Sequence, residues 1–240
     1  MRIDKLLAHS GLGTRKEVKK ILKSGMVLVN GDVVNEPKTH VDPEVDKVTV
    51  GGATLDYEEF VYFMMNKPQG VISATEDLLH DTVIDLLEPQ DSIQSPFPAG
   101  RLDIDTEGLV LLTNDGALAH QLLSPKRKVD KCYEAMIEGI VTQEDGDAFQ
   151  EGVKLDDGYH TLPAELEILS VDEESETSHI RLIIQEGKFH QVKRMFEAVD
   201  KKVTALKRLS IGPLVLDPEL ELGEYRPLTA EEIEKLKQAG

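Results

Sequence analysis

The chain is 240 residues long with 40% hydrophobic and 30% charged residues, a balance that describes a soluble globular protein and excludes a disordered or membrane-embedded one. No apolar run approaches the ~20 residues that a membrane helix needs, and a lone cysteine, Cys132, excludes an internal disulfide and a thiolate zinc centre. A net charge of −18, taken as a sum, argues against a nucleic-acid partner, because phosphate repels carboxylate.

The charge is unevenly spread. Residues 1–25 carry Arg2, Lys5, Arg15, Lys16, Lys19, Lys20 and Lys23 against only Asp4 and Glu17. Residues 181–210 hold eight bases against three acids, and Lys126, Arg127, Lys128 and Lys131 form a third cluster. An acidic protein with local basic patches can bind RNA through them, although any one cluster is more often a solvated face. The opening MRIDKLLAHSGLG lacks the apolar stretch of a signal peptide. With one cysteine, the expected compartment is the cytoplasm.

In chain order, the first strong signal is a capping box, Thr14 and Glu17, preceded by the breaker Gly11-Leu12-Gly13. It predicts a helix from Arg15 to Ser24, ended by Gly25. Val18, Ile21 and Leu22 share one arc of that helix, and the arginine and lysines share the opposite one. Asn30-Gly31 between β-branched runs predicts a tight hairpin of type I′. A further strand, Lys47 to Val50, ends at Gly51-Gly52. Two short helices, a hairpin, and the segments R-I-D-K at 2–5, T-R-K at 14–16 and G-M-V-L-V-N-G at 25–31 resemble the S4 RNA-binding domain. The resemblance implies that Arg2, Lys5 and the basic strip of the helix meet RNA backbone. Solubility alone is the bland alternative for those lysines.

The polar stretch GGATLDYEEF at 51–60 reads as a boundary, giving domains 1–58 and 59–240. The second block has strand candidates at Val61–Asn66, Leu109–Thr113, Lys131–Ile137, Ala164–Ser170, His179–Ile184 and Leu214–Asp217. Helix candidates are Ala117–Leu123, Gln143–Gln150, Gln191–Val199 and Ala230–Gln238, the last opened by a second capping box, Thr229 and Glu232. Strands outnumber helices without alternating with them. An α+β fold follows, its second domain a mixed, largely antiparallel sheet flanked by helices.

The most distinctive stretch is G-R-L-D-I-D-T-E-G-L-V-L-L-T-N-D-G at 100–116. A polar loop runs straight into an apolar strand, where a rigid sheet presents reactive groups. Asp103, Asp105 and Glu107 crowd there, and each raises the pKa of the others unless a cation balances them. A calcium loop fits only as far as Gly108, since its twelfth position is Asn114 rather than glutamate. The residues alone leave a plain acidic turn and an unspecified carboxylate site both open, and do not choose between Asp103 and Asp105.

This segment resembles the signature of pseudouridine synthases, and the chain resembles the RsuA-type branch that modifies small-subunit rRNA. N-K-P-Q-G at 66–70, K-C-Y-E-A at 131–135, E-G-K-F-H-Q-V-K-R-M at 186–195, L-K-R-L-S-I-G at 206–212 and G-E-Y-R-P-L-T at 223–229 match in the family's order. The resemblance implies that Asp103 is the essential aspartate, that Tyr133 lies beside the uracil, and that Lys193 pairs with the aspartate, with Arg194 the neighbouring candidate. It places Arg101 where an arginine fills the space left by a flipped base, a salt bridge with local acids being the alternative. His190 and Gln191 are expected to support the loop. It also implies chemistry without metal or cofactor on 16S rRNA or an assembling small subunit, with uridine-516 as expected target; a monomer with no obligate protein partner is the default expectation. A 23S rRNA target and a non-catalytic S4-type assembly factor are the alternatives. A metal-dependent hydrolase is distant, because no His/Asp cluster has ligand spacing.

Overall fold

The computed structural model describes residues 1–55 and 57–239. They divide into two compact units, Met1–Val61 with Glu88–Pro96, and Tyr62–Leu87 with Phe97–Gly240. The short segment 88–96 therefore groups with the first unit although it interrupts the second in sequence. No helix among the described residues is long and apolar enough to cross a membrane.

In the first unit, α1 (Ile3–His9) and α2 (Arg15–Lys23) pack over a four-stranded sheet of order β2-β1-β3-β4. The strands are β1 (Val27–Val29), β2 (Asp32–Val33), β3 (Val48–Val50) and β4 (Ala53–Thr54). The capping box forms: the Glu17 amide donates to Thr14 Oγ1 at 3.4 Å and the Thr14 amide to Glu17 Oε2 at 2.8 Å. Val18 and Leu22 are buried with Ile3, Leu6, Leu7, Val27, Val41 and Val48, while Arg15, Lys16, Lys19, Lys20 and Lys23 are exposed. Asn30 (φ 54°) and Gly31 (φ 95°) are both left-handed, as a type I′ hairpin turn requires. The Asn30 side chain also receives the Lys47 amide and donates to Asp46. A short helix, α3 (Pro89–Ser92), completes the unit.

The second unit is a nine-stranded sheet. Its strands are β5 (Tyr62–Lys67), β6 (Phe97–Ala99), β7 (Glu107–Thr113), β8 (Lys131–Glu138), β9 (Glu165–Asp172), β10 (Thr177–Ile184), β11 (Lys202–Ile211), β12 (Leu214–Val215) and β13 (Tyr225–Pro227). The main path runs β13-β5-β7-β11-β8-β10-β9, with β6 on β7 and β12 on β11. Among the named strands of the described residues, β7 and β11 alone pair in parallel, so the sheet is mixed and largely antiparallel. Tyr62, Met64, Leu109 and Leu111 pack with residues of α4 (Gly116–Leu123) and α7 (Ala230–Gln238). Phe149 of α5 (Gln143–Glu151) meets Phe196 of α6 (Gln191–Glu197) edge to face, centroids 5.1 Å apart, a favoured aromatic geometry. The longest strand, β11, is absent from the sequence-based strand set: its buried positions are Leu206, Arg208 and Ile211, so one of them is a charge, and register shifts at Val203/Ala205 and Arg208/Ser210 break the period of two.

Candidate active site

The loop from Gly100 to Thr106 joins β6 to β7, and its backbone is fixed from several sides. Ser73 Oγ donates to the Leu102 carbonyl at 3.2 Å and accepts the Leu102 amide at 3.0 Å. The Gly70 amide donates to Ile104 O at 2.8 Å. Lys67, at the end of β5, is fully buried. Its Nζ donates to the carbonyls of Pro68 (2.9 Å), Asp103 (3.1 Å) and Thr106 (2.9 Å). An ammonium has three N–H donors, so Lys67 satisfies three carbonyls at once and clamps both ends of the Asp103–Thr106 turn. Burial lowers its pKa to about 8, against the pull of Asp103, Asp105 and Glu107.

The Asp103 side chain remains 28% exposed. Lys193, on α6, brings Nζ to 3.3 Å from Asp103 Oδ2 and 2.6 Å from Asp105 Oδ1. The cation that balances the acidic loop is thus a side chain of this protein. The Lys193 hydrogen bond holds the Asp105 carboxyl below its ordinary range. Burial works against the Lys193 ammonium, but Asp105 and Asp103 outweigh it and raise its pKa. His190 Nε2 lies 3.6 Å from Asp103 Oδ1. Behind it, buried Glu186 accepts from Gln191 Nε2 (2.8 Å), the Leu162 amide (2.8 Å) and Tyr159 OH (2.6 Å). Gln191 therefore braces the loop, while His190 reaches Asp103 itself.

Beneath the loop, one row crosses four strands. Lys67 faces Gly108, Gly108 faces Arg208, and Arg208 faces Tyr133. A Cβ on Gly108 would sit 2.2 Å from the Arg208 carbonyl oxygen, so only glycine permits this close passage of β7 and β11. Arg208 is 2% exposed and Nε donates to Leu109 O at 2.9 Å. Tyr133 is buried on β8 and shares this row.

The other expected residues lie in different settings. Arg101 is exposed and makes no ion pair among the described residues. Arg194 is tied to Asp156 and Asp157 and donates to the Phe189 carbonyl at 3.1 Å, so Lys193 alone of the two pairs with Asp103. Arg2 is bound to Asp4, its Nε 3.0 Å from Oδ1, and Lys5 is exposed. Sequence reasoning missed Lys67, Ser73, Gly108 and Arg208. For Lys67 a signal existed: a lysine closing the apolar run YFMMN, where a charge is costly without partners.

With that geometry in view, residues 61–198 match the family model for RNA pseudouridylate synthase, and residues 1–46 match the S4 domain. The chain is 54% identical, over 99% of each chain, to an uncharacterized RNA pseudouridine synthase, YtzG, of Bacillus subtilis. It is 42% identical to ribosomal small subunit pseudouridine synthase A of Vibrio vulnificus, over 98% of this chain and 99% of that one. It is 41% identical to ribosomal large subunit pseudouridine synthase B of Bacillus subtilis, over 98% and 95%.

Proposed function

The chain belongs to the RNA pseudouridine synthase family, and from that premise we propose that it converts one uridine of 16S rRNA, uridine-516, to pseudouridine at Asp103. The observation that carries the site is the half-buried Asp103 carboxylate, 3.3 Å from the Lys193 ammonium on a loop clamped by Lys67. In the reaction the N1–C1′ bond breaks, the base turns, and C5 bonds to C1′. C5 then gives up its proton, and N1 carries one in the product. Asp103 serves as nucleophile at C1′, as electrostatic partner of an oxocarbenium-like sugar, or as base at the sugar. Lys193 supplies the charge that complements the carboxylate. Tyr133 offers a ring to the uracil and a hydroxyl for the C5 proton.

The base must leave its stack to react. Arg101, exposed beside Asp103, is suited to fill the gap, because a guanidinium stacks and contacts phosphate together. Arg2, Lys5, Arg15, Lys16, Lys19, Lys20 and Lys23 form the RNA contact of the first unit, with Arg194 available once it exchanges carboxylates for phosphate. The enzyme acts in the cytoplasm as a monomer without metal or cofactor.

The near-equal similarity to a small-subunit and a large-subunit enzyme favours 23S rRNA as the second reading. Carbodiimide mapping of rRNA from cells lacking the protein, complemented with wild type or Asp103→Asn, tests both. Loss of one 16S pseudouridine, restored only by wild type, is the expected result. Loss at a 23S position moves the target. Restoration by Asp103→Asn removes Asp103 from the chemistry, and an unchanged map points to the assembly-factor alternative. Purified protein is expected to keep its activity in EDTA.

A further inference from the structure

Phe189 is 74% exposed, yet it is not on a loose segment. Its carbonyl receives Arg194 NH1 at 3.1 Å. On either side, the Lys188 amide donates to Gln191 Oε1 at 2.8 Å and the Gln191 amide to Lys188 O at 3.1 Å. The phenyl ring stacks on His190 with centroids 3.8 Å apart and planes 18° apart. His190 in turn has φ 49°, a left-handed conformation that costs a non-glycine residue energy and tends to mark functional positions. The far edge of this two-ring stack, His190 Nε2, is the atom 3.6 Å from Asp103. Both rings line a cavity of about 450 Å³ together with Lys193, Arg194, Asp156 and Asp157.

We propose that the Phe189–His190 stack is a platform for the nucleobase that adjoins the target uridine, and that this cavity is the subsite for that neighbouring nucleotide. The inference rests on the reading of Asp103 as the reacting site. Neither Asp103 nor Tyr133 lines the cavity, whereas Lys193 borders it and touches Asp103. The nucleotide held there is therefore next to the reacting one. Charge selects the base as the part that enters. The cavity wall sets Lys193 and Arg194 against Asp156, Asp157 and Glu197, so while Arg194 keeps its pairs with Asp156 and Asp157 the wall offers a phosphate no net attraction, whereas a neutral aromatic base gains from stacking whatever its sequence. His190 already covers one face of Phe189, and a base on the open face extends the stack by one layer.

The test uses the full-length enzyme and transcripts of the rRNA segment around the mapped uridine, with each of the two adjoining nucleotides made abasic in turn. Phe189→Ala is expected to raise KM roughly tenfold with kcat little changed, and Phe189→Tyr to behave as wild type. An abasic site at one adjoining position should cost the wild type a similar factor and cost Phe189→Ala nothing further. The thermal midpoint should not move, because the ring is exposed. Wild-type KM in Phe189→Ala, or losses that simply add at both positions, overturns the platform. A wild-type enzyme that forms no pseudouridine overturns the assignment of Asp103 chemistry as well, so the two failures are distinct.

Discussion

Lys67 gives the Asp103 loop its shape at the cost of burying a charge. Replacing it with methionine removes the donor to three carbonyls while keeping the bulk. Lys67→Met is expected to lower kcat about a hundredfold by loosening the Asp103 turn, since small misplacements of a reacting group are that costly. A pH dependence follows from the same group. Above its pKa of about 8, the neutral amine has two N–H groups for three carbonyls, so wild-type kcat should fall through pH 8. The residual activity of Lys67→Met should lack that limb. Stability moves the other way. The folded pKa lies below the ordinary 10.5, so between those values the unfolded chain binds more protons and this group's contribution to stability rises with pH. Single-turnover rates and urea midpoints across pH 7–10 separate the two effects. At Gly108 the constraint is steric. A Cβ 2.2 Å from one backbone oxygen of Arg208 and 2.7 Å from its nitrogen meets atoms that no rotamer change can move. Gly108→Ala should destabilise by about 3 kcal/mol or more, read as a lowered denaturation midpoint.

At the scale of elements, the helix signals in the sequence were the plainest, because capping boxes act within four residues. Thr14/Glu17 and Thr229/Glu232 both form, and α2 and α7 begin where those pairs place them. The alternation in β8 and β10 was legible for the same reason, each strand having one buried face. What lay hidden depends on distant partners. The strand β11 is assembled by β7 and β8 on its two sides; Lys67 is tolerable in the interior because three carbonyls receive it, and Arg208 is held there by its Nε bond to the Leu109 carbonyl of β7. Within the site, the acidic loop was evident, but its balancing cation comes from a position 90 residues away from Asp103, visible only through family resemblance. Glu232 shows a second kind of hidden partnership. Besides capping α7, it accepts two bonds from Arg226 of β13, at 2.9 and 2.8 Å. The Arg226 bonds hold its pKa down at about 2 against an ordinary 4.5, with burial opposing. A carboxylate depressed on folding adds stability that is complete above the unfolded pKa and lost as pH falls towards the folded one. Glu232→Gln keeps the cap and should cost about 1–3 kcal/mol at pH 7. By pH 2 the variant and the wild type should have converging urea midpoints; a gap that persists there would assign the effect to packing.

For the whole molecule, the question is how a chain of net charge −18 holds RNA. Its excess acid lies outside residues 1–25, where the exposed strip of α2 concentrates Lys16, Lys19, Lys20 and Lys23 on one side of a helix anchored by Val18 and Leu22. Potential at a surface depends on the nearest charges, since screening removes those beyond about 8 Å at physiological salt, so the strip can attract phosphate while the molecule as a whole repels it. Exchanging all four lysines for glutamine leaves the buried side of α2 intact, and the thermal midpoint should stay within a degree or two. RNA affinity should fall, and the slope of log K against log salt should become shallower by about 0.7–0.9 for each phosphate that is no longer neutralised. At saturating RNA, kcat should be unchanged, because Asp103, Lys193 and Lys67 all belong to the second unit. Filter binding at several salt concentrations measures the slope, and single-turnover rates at high enzyme measure the chemistry. An unchanged slope would leave the lysines as a solubilising face and transfer the RNA-binding role to the basic residues of 181–210. A shallower slope with a reduced saturated rate would mean that the first unit also shapes the site, and not merely that it brings RNA to it.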